Sequence, residues 1–287
     1  MDRAAALKSK SHSPAAAAPQ LFATARDGTR LQCSAWGEGA PVLFLHSWAM
    51  QARMWDYQFA ALAPHGVRCL GFDRRGHGRS DQPADGYDYD TLADDLAAVI
   101  EAQDLHDVTL VGHSMGAGEI VRYLTRHGSG RVKRIALLAP TTPFLTQTPD
   151  NPAGLPAAAF EAMRTAWMVD FPGWVAQNSA PFFTPATSKA LIDWAVGMML
   201  EIPLPVALAC NRAVTDTDFR AELARIDVPC LVIHGDADAS APLALAGAPT
   251  AALIPGCELK IYEGAPHGLM FTHTDRLNAD LLAFTQA

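Results

Sequence analysis

The chain is 287 residues long, 49% hydrophobic and 18% charged, with a formal net charge of -8. This apolar content fills one large core, and α/β chains of this size commonly fold as one domain plus an insertion. The 22 Lys and Arg form no cluster against 30 Asp and Glu, which excludes a surface built to neutralise phosphates, so no nucleic-acid partner is expected.

Residues 1–19 are rich in alanine, and Lys8 and Lys10 break their only short apolar run. They hold neither a secretory core of about 7–15 apolar residues nor, with the rest of the chain, a spanning run of about 18. The expectation is a disordered tail on a cytoplasmic protein with no membrane partner. Residues 20–36 read as a hairpin: Phe22 and Ala23 precede the turn signal Asp27-Gly28, and Leu31, Cys33 and Ala35 alternate after it.

The run Val42-Leu43-Phe44-Leu45 is continuously apolar, as in a strand covered on both faces, and opens into His46-Ser47-Trp48. A helix with Trp55, Phe59 and Leu62 on one face follows. The next strand, Val67 to Phe72, ends in the loop Asp73 to Ser80, whose glycines lack phosphate-binding spacing. Structural hydrogen bonding by Asp73, Arg74 and Arg75 suits that loop, with His77 structural too. Asp81, Asp85, Asp88 and Asp90 are loop and cap positions before a helix striped by Leu92, Leu96, Val99 and Ile100.

Val108, Leu110 and Val111 form a further strand-like apolar run, which leads straight into Gly112-His113-Ser114-Met115-Gly116. Ala117, Ile120, Val121 and Leu124 then fall at helical spacing. A serine at such a strand-to-helix bend is projected outward, with no room for a Cβ at the flanking glycines. Met115 N–H then lies at a helix start, where free donors favour a developing oxyanion.

Val132 to Ala139 supplies another strand, after which the rhythm fails. Prolines recur and short helical patches replace strands, giving an expected helical lid over 141–212 between core segments 20–140 and 213–287. Among its aromatics, Phe144, Trp167, Trp174 and Trp194 are the candidates to wall a substrate pocket, together with Trp48. The alternation resumes with a strand Cys230 to His234, a helix over roughly 242–252, an edge strand Glu258 to Tyr262 and a closing helix carrying Leu277, Leu281 and Phe284. The fold class is α/β with a mostly parallel sheet. Cys33, Cys69, Cys210, Cys230 and Cys257 lack Cys-x-x-Cys spacing and read as buried thiols, not disulfides or a metal site.

A serine hydroxyl is a weak nucleophile unless an imidazole takes its proton, and the imidazole needs a carboxylate to fix its tautomer. In an open parallel sheet such groups meet on loops at the carboxyl ends of strands. Ser114, Asp238 and His267 each occupy such a loop, in the order of the nucleophile-elbow architecture. His113 is expected to point away and pack, and His46 and His234 to satisfy backbone groups at strand ends. Asp236 rivals Asp238, which lies deeper in its loop ahead of Pro242. Met115 N–H and Trp48 N–H are the candidate oxyanion donors. No metal or organic cofactor is called for, and the subunit number stays open, a homodimer included.

On His46-Ser47-Trp48, Phe72 to Ser80, Gly112 to Gly116, His234 to Asp238 and Pro266-His267, the sequence resembles the α/β-hydrolase superfamily, and more narrowly its esterase and cofactor-free haloperoxidase (perhydrolase) branch. The resemblance runs from about residue 20 to the end and is weakest across 141–212. It implies an eight-stranded fold and carboxylic ester hydrolysis through an acyl-enzyme, and the aromatic lid points to small to medium apolar esters. Lactam, amide, lactone or peroxide chemistry, or a ligand-binding role at low turnover, are its alternatives. Two departures count: Ser47 stands where members usually carry glycine, and Ala49 where perhydrolysing relatives often carry proline. The second leads to an expectation that plain hydrolysis prevails.

Overall fold

The computed structural model describes residues 21–287; the expected tail, 1–19, lies outside the described residues. Eight strands, β1 (Phe22–Thr24), β2 (Arg30–Trp36), β3 (Ala40–Leu45), β4 (Val67–Phe72), β5 (Val108–His113), β6 (Val132–Leu138), β7 (Cys230–Gly235) and β8 (Glu258–Tyr262), form one sheet. Their order is β1-β2-β4-β3-β5-β6-β7-β8. The hairpin strands β1 and β2 pair antiparallel with each other, and β2 antiparallel with β4; all other pairs are parallel. The eight-stranded, mostly parallel α/β fold is therefore present.

The central strands are apolar without alternation because helices flank the sheet. Every residue of β5 and β7 is buried, whereas β8 at the edge is buried only at Tyr262. The flanking helices are α1 (Asp56–Leu62), α2 (Tyr89–Ala102) and α3 (Met115–His127) early in the chain. Later come α4 (Ala157–Asn178), α5 (Lys189–Leu200), α6 (Leu204–Asp216) and α7 (Arg220–Leu223), then α8 (Gly247–Leu253), α9 (Leu269–Thr272) and α10 (Thr274–Gln286). Helix α2 packs on α3, and α1 on α10.

The irregular, proline-rich stretch after β6 holds α4, α5 and α6. Helix α4 breaks at Asp170 (φ -155°, ψ 84°), whose carboxylate accepts the Gly173 N–H at 2.8 Å and so restarts the helix around Pro172. The helix expected over 242–252 begins later, at Gly247. Leu245 and Ala246 N–H both turn back to the Pro242 carbonyl, and Ala246 (φ -121°, ψ -77°) is not helical. Gly247 then lies against the His234 ring, where a Cβ would overlap the imidazole. The five cysteines are free, and no single helix among the described residues is long and apolar enough to cross a membrane.

Candidate active site

Ser114 joins β5 to α3 with φ 55° and ψ -114°, a conformation that costs energy for any residue with a Cβ. Its surroundings hold it there. Its N–H donates to Leu138 O on the neighbouring strand at 2.9 Å. A Cβ on Gly112 would come within 2.6 Å of Gly116 O, and one on Gly116 within 2.8 Å of Leu45 O, so strand and helix pass too closely for anything but glycine. Met115 opens α3. Neither its N–H nor that of Trp48 has a hydrogen-bond partner among the described residues.

The loop after β7 carries Asp238 and the loop after β8 carries His267, and the structure brings them together. His267 Nδ1 donates to Asp238 Oδ2 at 2.7 Å, leaving Nε2 without a protein partner among the described residues. Asp238 Oδ1 accepts the N–H groups of Ser240 and Ala241 at 2.9 and 2.8 Å. Burial works to raise the Asp238 pKa, but the facing His267, the neighbouring His234 and these backbone donors outweigh it and hold the carboxyl far below the usual range. Asp236, the rival, is exposed and accepts the Gly264 N–H at 2.7 Å, which ties the two loops together instead.

The hydroxyl of Ser114 makes no hydrogen bond among the described residues; it and His267 open on one cavity of about 390 Å³. Hydroxyl–imidazole contacts in unliganded sites commonly tighten only when substrate binds. The cavity is walled mainly by apolar side chains of α4 to α6 and by the loop after β3. Trp48, Trp167 and Trp174 line it: Trp48 stacks on Trp167 with centroids 4.8 Å apart, and Trp167 meets Trp174 edge-on at 5.0 Å. Trp48 Nε1 donates to Ala207 O at 2.9 Å, which fastens the loop to α6.

Two expected wall residues lie elsewhere. Phe144 is buried 5.7 Å beneath the Arg220 guanidinium, and the adjacent Leu145 faces the cavity in its place. Trp194 packs on Tyr57 and Phe271 outside it, with centroids 6.1 and 5.8 Å away. Phe182, which lies in the expected lid but is not among the expected wall residues, is a wall residue. It sits edge-on to His267 at 5.5 Å while its carbonyl accepts the Gly268 N–H at 3.1 Å. No periodicity marks Phe182, so only its residue type could have drawn attention to it.

Two histidines do more than pack. His113 does turn away from the cavity, yet its Nε2 donates to His267 O at 2.9 Å and so supports the His267 loop from below. Burial holds it neutral, well below the ordinary imidazole range. His234 Nε2 donates to Ala241 O at 2.8 Å, the expected backbone role. In the loop after β4, Asp73 accepts from Ala52 and Arg79 N–H at 2.9 Å each, and Arg75 pairs with Asp95 through two bonds of 2.6 Å, consistent with structural hydrogen bonding. Among the described residues no group of three or more His, Cys, Asp or Glu is arranged to hold a metal ion.

The sharp serine bend at the end of a central parallel strand lies inside a match at the family level. A family model described as the alpha/beta hydrolase fold covers residues 40–191, more than half of the chain. The chain belongs to the alpha/beta hydrolase family. This hydrolase is 41% identical over 280 residues to the non-heme chloroperoxidase of Streptomyces lividans, across 92% of this chain and 99% of that protein. In structure the hydrolase is similar to the esterase EaEST from Exiguobacterium antarcticum (TM-score 0.90, 31% identity, 93% of this chain and 99% of that one). It is also similar to a bromoperoxidase from Bacillus anthracis (TM-score 0.88, 33% identity, 93% of this chain and 100% of that one).

Proposed function

We propose that this hydrolase forms an acyl-enzyme on Ser114 from small to medium apolar carboxylic esters and passes the acyl group to water or to hydrogen peroxide. The observation that carries the reading is the Asp238–His267 pair at 2.7 Å sharing an apolar cavity with a serine at a strained strand-to-helix bend. In this mechanism Ser114 Oγ attacks the acyl carbon while His267 Nε2 takes its proton, and Asp238 steadies the imidazolium. The carbonyl oxygen becomes an oxyanion facing the Met115 and Trp48 N–H groups. The proton then passes from His267 to the leaving alkoxide.

Water, deprotonated by His267, resolves the acyl-enzyme to a carboxylic acid. Hydrogen peroxide, deprotonated in the same way, gives a peracid, which in solution transfers oxygen to halide to yield hypohalous acid and the carboxylate. The chloroperoxidase and bromoperoxidase names of similar proteins favour peroxide as acceptor at least as well as the esterase name favours water. Hydrolysis alone, expected from Ala49, therefore gives way to a dual-acceptor reading.

Hydrolysis of p-nitrophenyl acetate and bromide-dependent halogenation in methyl acetate and hydrogen peroxide test this side by side. Both activities are expected in the wild type, and both are expected to vanish in folded Ser114→Ala. Halogenation that survives Ser114→Ala would sink the acyl-enzyme, and hydrolysis without peracid formation would reduce the reading to an esterase.

A further inference from the structure

The loop after β4 is joined to the oxyanion side of the site by a buried network that the acyl-transfer scheme leaves unused. Arg74 donates its backbone N–H to His46 Nε2 at 2.9 Å. Because that nitrogen accepts, the neutral ring carries its proton on Nδ1, which donates to Ser47 O at 2.8 Å. Burial and the adjacent Arg74 keep His46 neutral, well below the ordinary range. The Arg74 guanidinium donates to Ser47 O at 3.3 Å and to His46 O at 2.7 Å.

Two donors thus hold the Ser47 carbonyl. A trans peptide is planar, so its C=O and the following N–H point in opposite directions. With the Ser47 C=O turned to Arg74 and His46, the Trp48 N–H of the same plane is turned away from them, and Ser47 and Trp48 both line the cavity. Arg74 is itself held by Glu119, through Nε at 2.7 Å and through Nη2, with both side chains 1% exposed. Glu119 lies one turn into α3, the helix that begins at Met115. A buried ion pair is a poor source of net stability, since desolvation offsets its attraction. What this one does is couple the segment carrying one candidate oxyanion donor to the segment carrying the other.

We infer that Arg74, braced by Glu119, is a positioning residue of the oxyanion hole: it sets the plane of the Ser47–Trp48 peptide so that Trp48 N–H stays aligned with Met115 N–H. The inference rests on the acyl-transfer reading, and that reading is checked first in the wild type. Absence of labelling by a fluorophosphonate, or turnover surviving Ser114→Ala, would remove the reading before Arg74 is considered.

Arg74→Lys keeps a positive charge beside Glu119 but loses the planar fork that reaches two carbonyls. Turnover of p-nitrophenyl acetate is measured per fluorophosphonate-titrated site, so the unfolded fraction does not enter. The expected result is a roughly 10- to 100-fold fall in kcat, less than the roughly 10²–10³-fold seen when an oxyanion donor is removed because Trp48 N–H is here only misaligned, with KM changed less than about 2-fold. Affinity for phenylboronic acid, whose tetrahedral adduct fills the hole, is expected to fall in parallel, while inhibition by benzyl alcohol stays unchanged. Unchanged kcat per site, or an equal loss of affinity for both inhibitors, would overturn the inference. If Arg74→Lys yields no titratable site, the double variant Arg74→Met/Glu119→Gln removes the guanidinium without leaving a buried unpaired charge. It is read the same way: a selective loss of kcat and boronate affinity supports the inference, and no selective loss overturns it.

Discussion

His234 and Asp238 meet at 3.2 Å, with His234 Nε2 facing the same carboxylate oxygen, Oδ2, that takes the Nδ1 proton of His267. Two imidazoles and two backbone N–H groups therefore surround one buried carboxylate, and none of its oxygens is short of a donor. Removing the charge while keeping the shape should leave His267 free to adopt the wrong tautomer. Asp238→Asn is expected to lower kcat for p-nitrophenyl acetate by roughly 10³–10⁴-fold. Asp236→Asn, which alters one exposed bond to Gly264, should change it less than about 3-fold. The reverse ranking would move the acid of the triad to Asp236.

Gly247 bears on the same carboxylate through His234. A Cβ there would overlap the imidazole on the side of Nδ1, which has no hydrogen-bond partner among the described residues. Gly247→Ala should push the ring toward Asp238, costing about 1–3 kcal/mol in urea unfolding as an overpacked core does, and should lower kcat as well. Unaltered stability would show that the turn before α8 relaxes freely.

Trp167 is 1% exposed and carries the stack between Trp48 and Trp174. Trp167→Ala should cost about 3–5 kcal/mol of stability. It should also move the preferred p-nitrophenyl ester to a longer or bulkier acyl chain, read as kcat/KM across acetate, butyrate, hexanoate and benzoate. An unchanged preference would place the acyl group elsewhere in the cavity.

Acid should weaken the fold through buried neutral imidazoles. Burial, reinforced by Arg74, pushes His77 down to about 3, while its Nδ1 donates to Arg75 O at 2.9 Å. The unfolded chain protonates near pH 6.5, so this contribution is fully present above that pH and is lost as pH falls toward 3. The loss from one such residue approaches 1.4 kcal/mol per pH unit. His46 and His113 act in the same sense. The carboxyls of Asp73, Asp95 and Glu119, which burial pushes up, act in the opposite one. Urea unfolding at intervals from pH 7 to 4 should show His77→Gln with a shallower acid slope than wild type; identical slopes would mean that His77 already titrates normally.

The order of strands and helices was legible because the central strands are dominated by apolar runs, such as Val42 to Leu45, Ile135 to Leu138 and Cys230 to Ile233. The three strand-end loops bearing Ser114, Asp238 and His267 could be located the same way. What escaped depends on geometry without a period. Phe144 and Leu145 are neighbours in an irregular segment, and nothing local decides which one turns inward. The bonds from His113 to His267 O and from Arg74 to Ser47 O join residues 154 and 27 positions apart, and a fold class does not specify such contacts. The late start of α8 goes with the non-helical backbone of Ala246 (φ -121°, ψ -77°), which nothing local after Pro242 marks.

The polypeptide departs from the sheet after β6 and rejoins it at the adjacent strand β7, and most of the cavity wall is carried on that single excursion. Selectivity is thereby packaged as a cassette: one contiguous piece of gene can be lengthened, shortened or exchanged to suit a different acyl group while the reacting atoms keep their scaffold. A transplant would have to preserve the seat that Phe182 offers to Gly268, because through that bond the excursion also helps to steady the loop carrying His267.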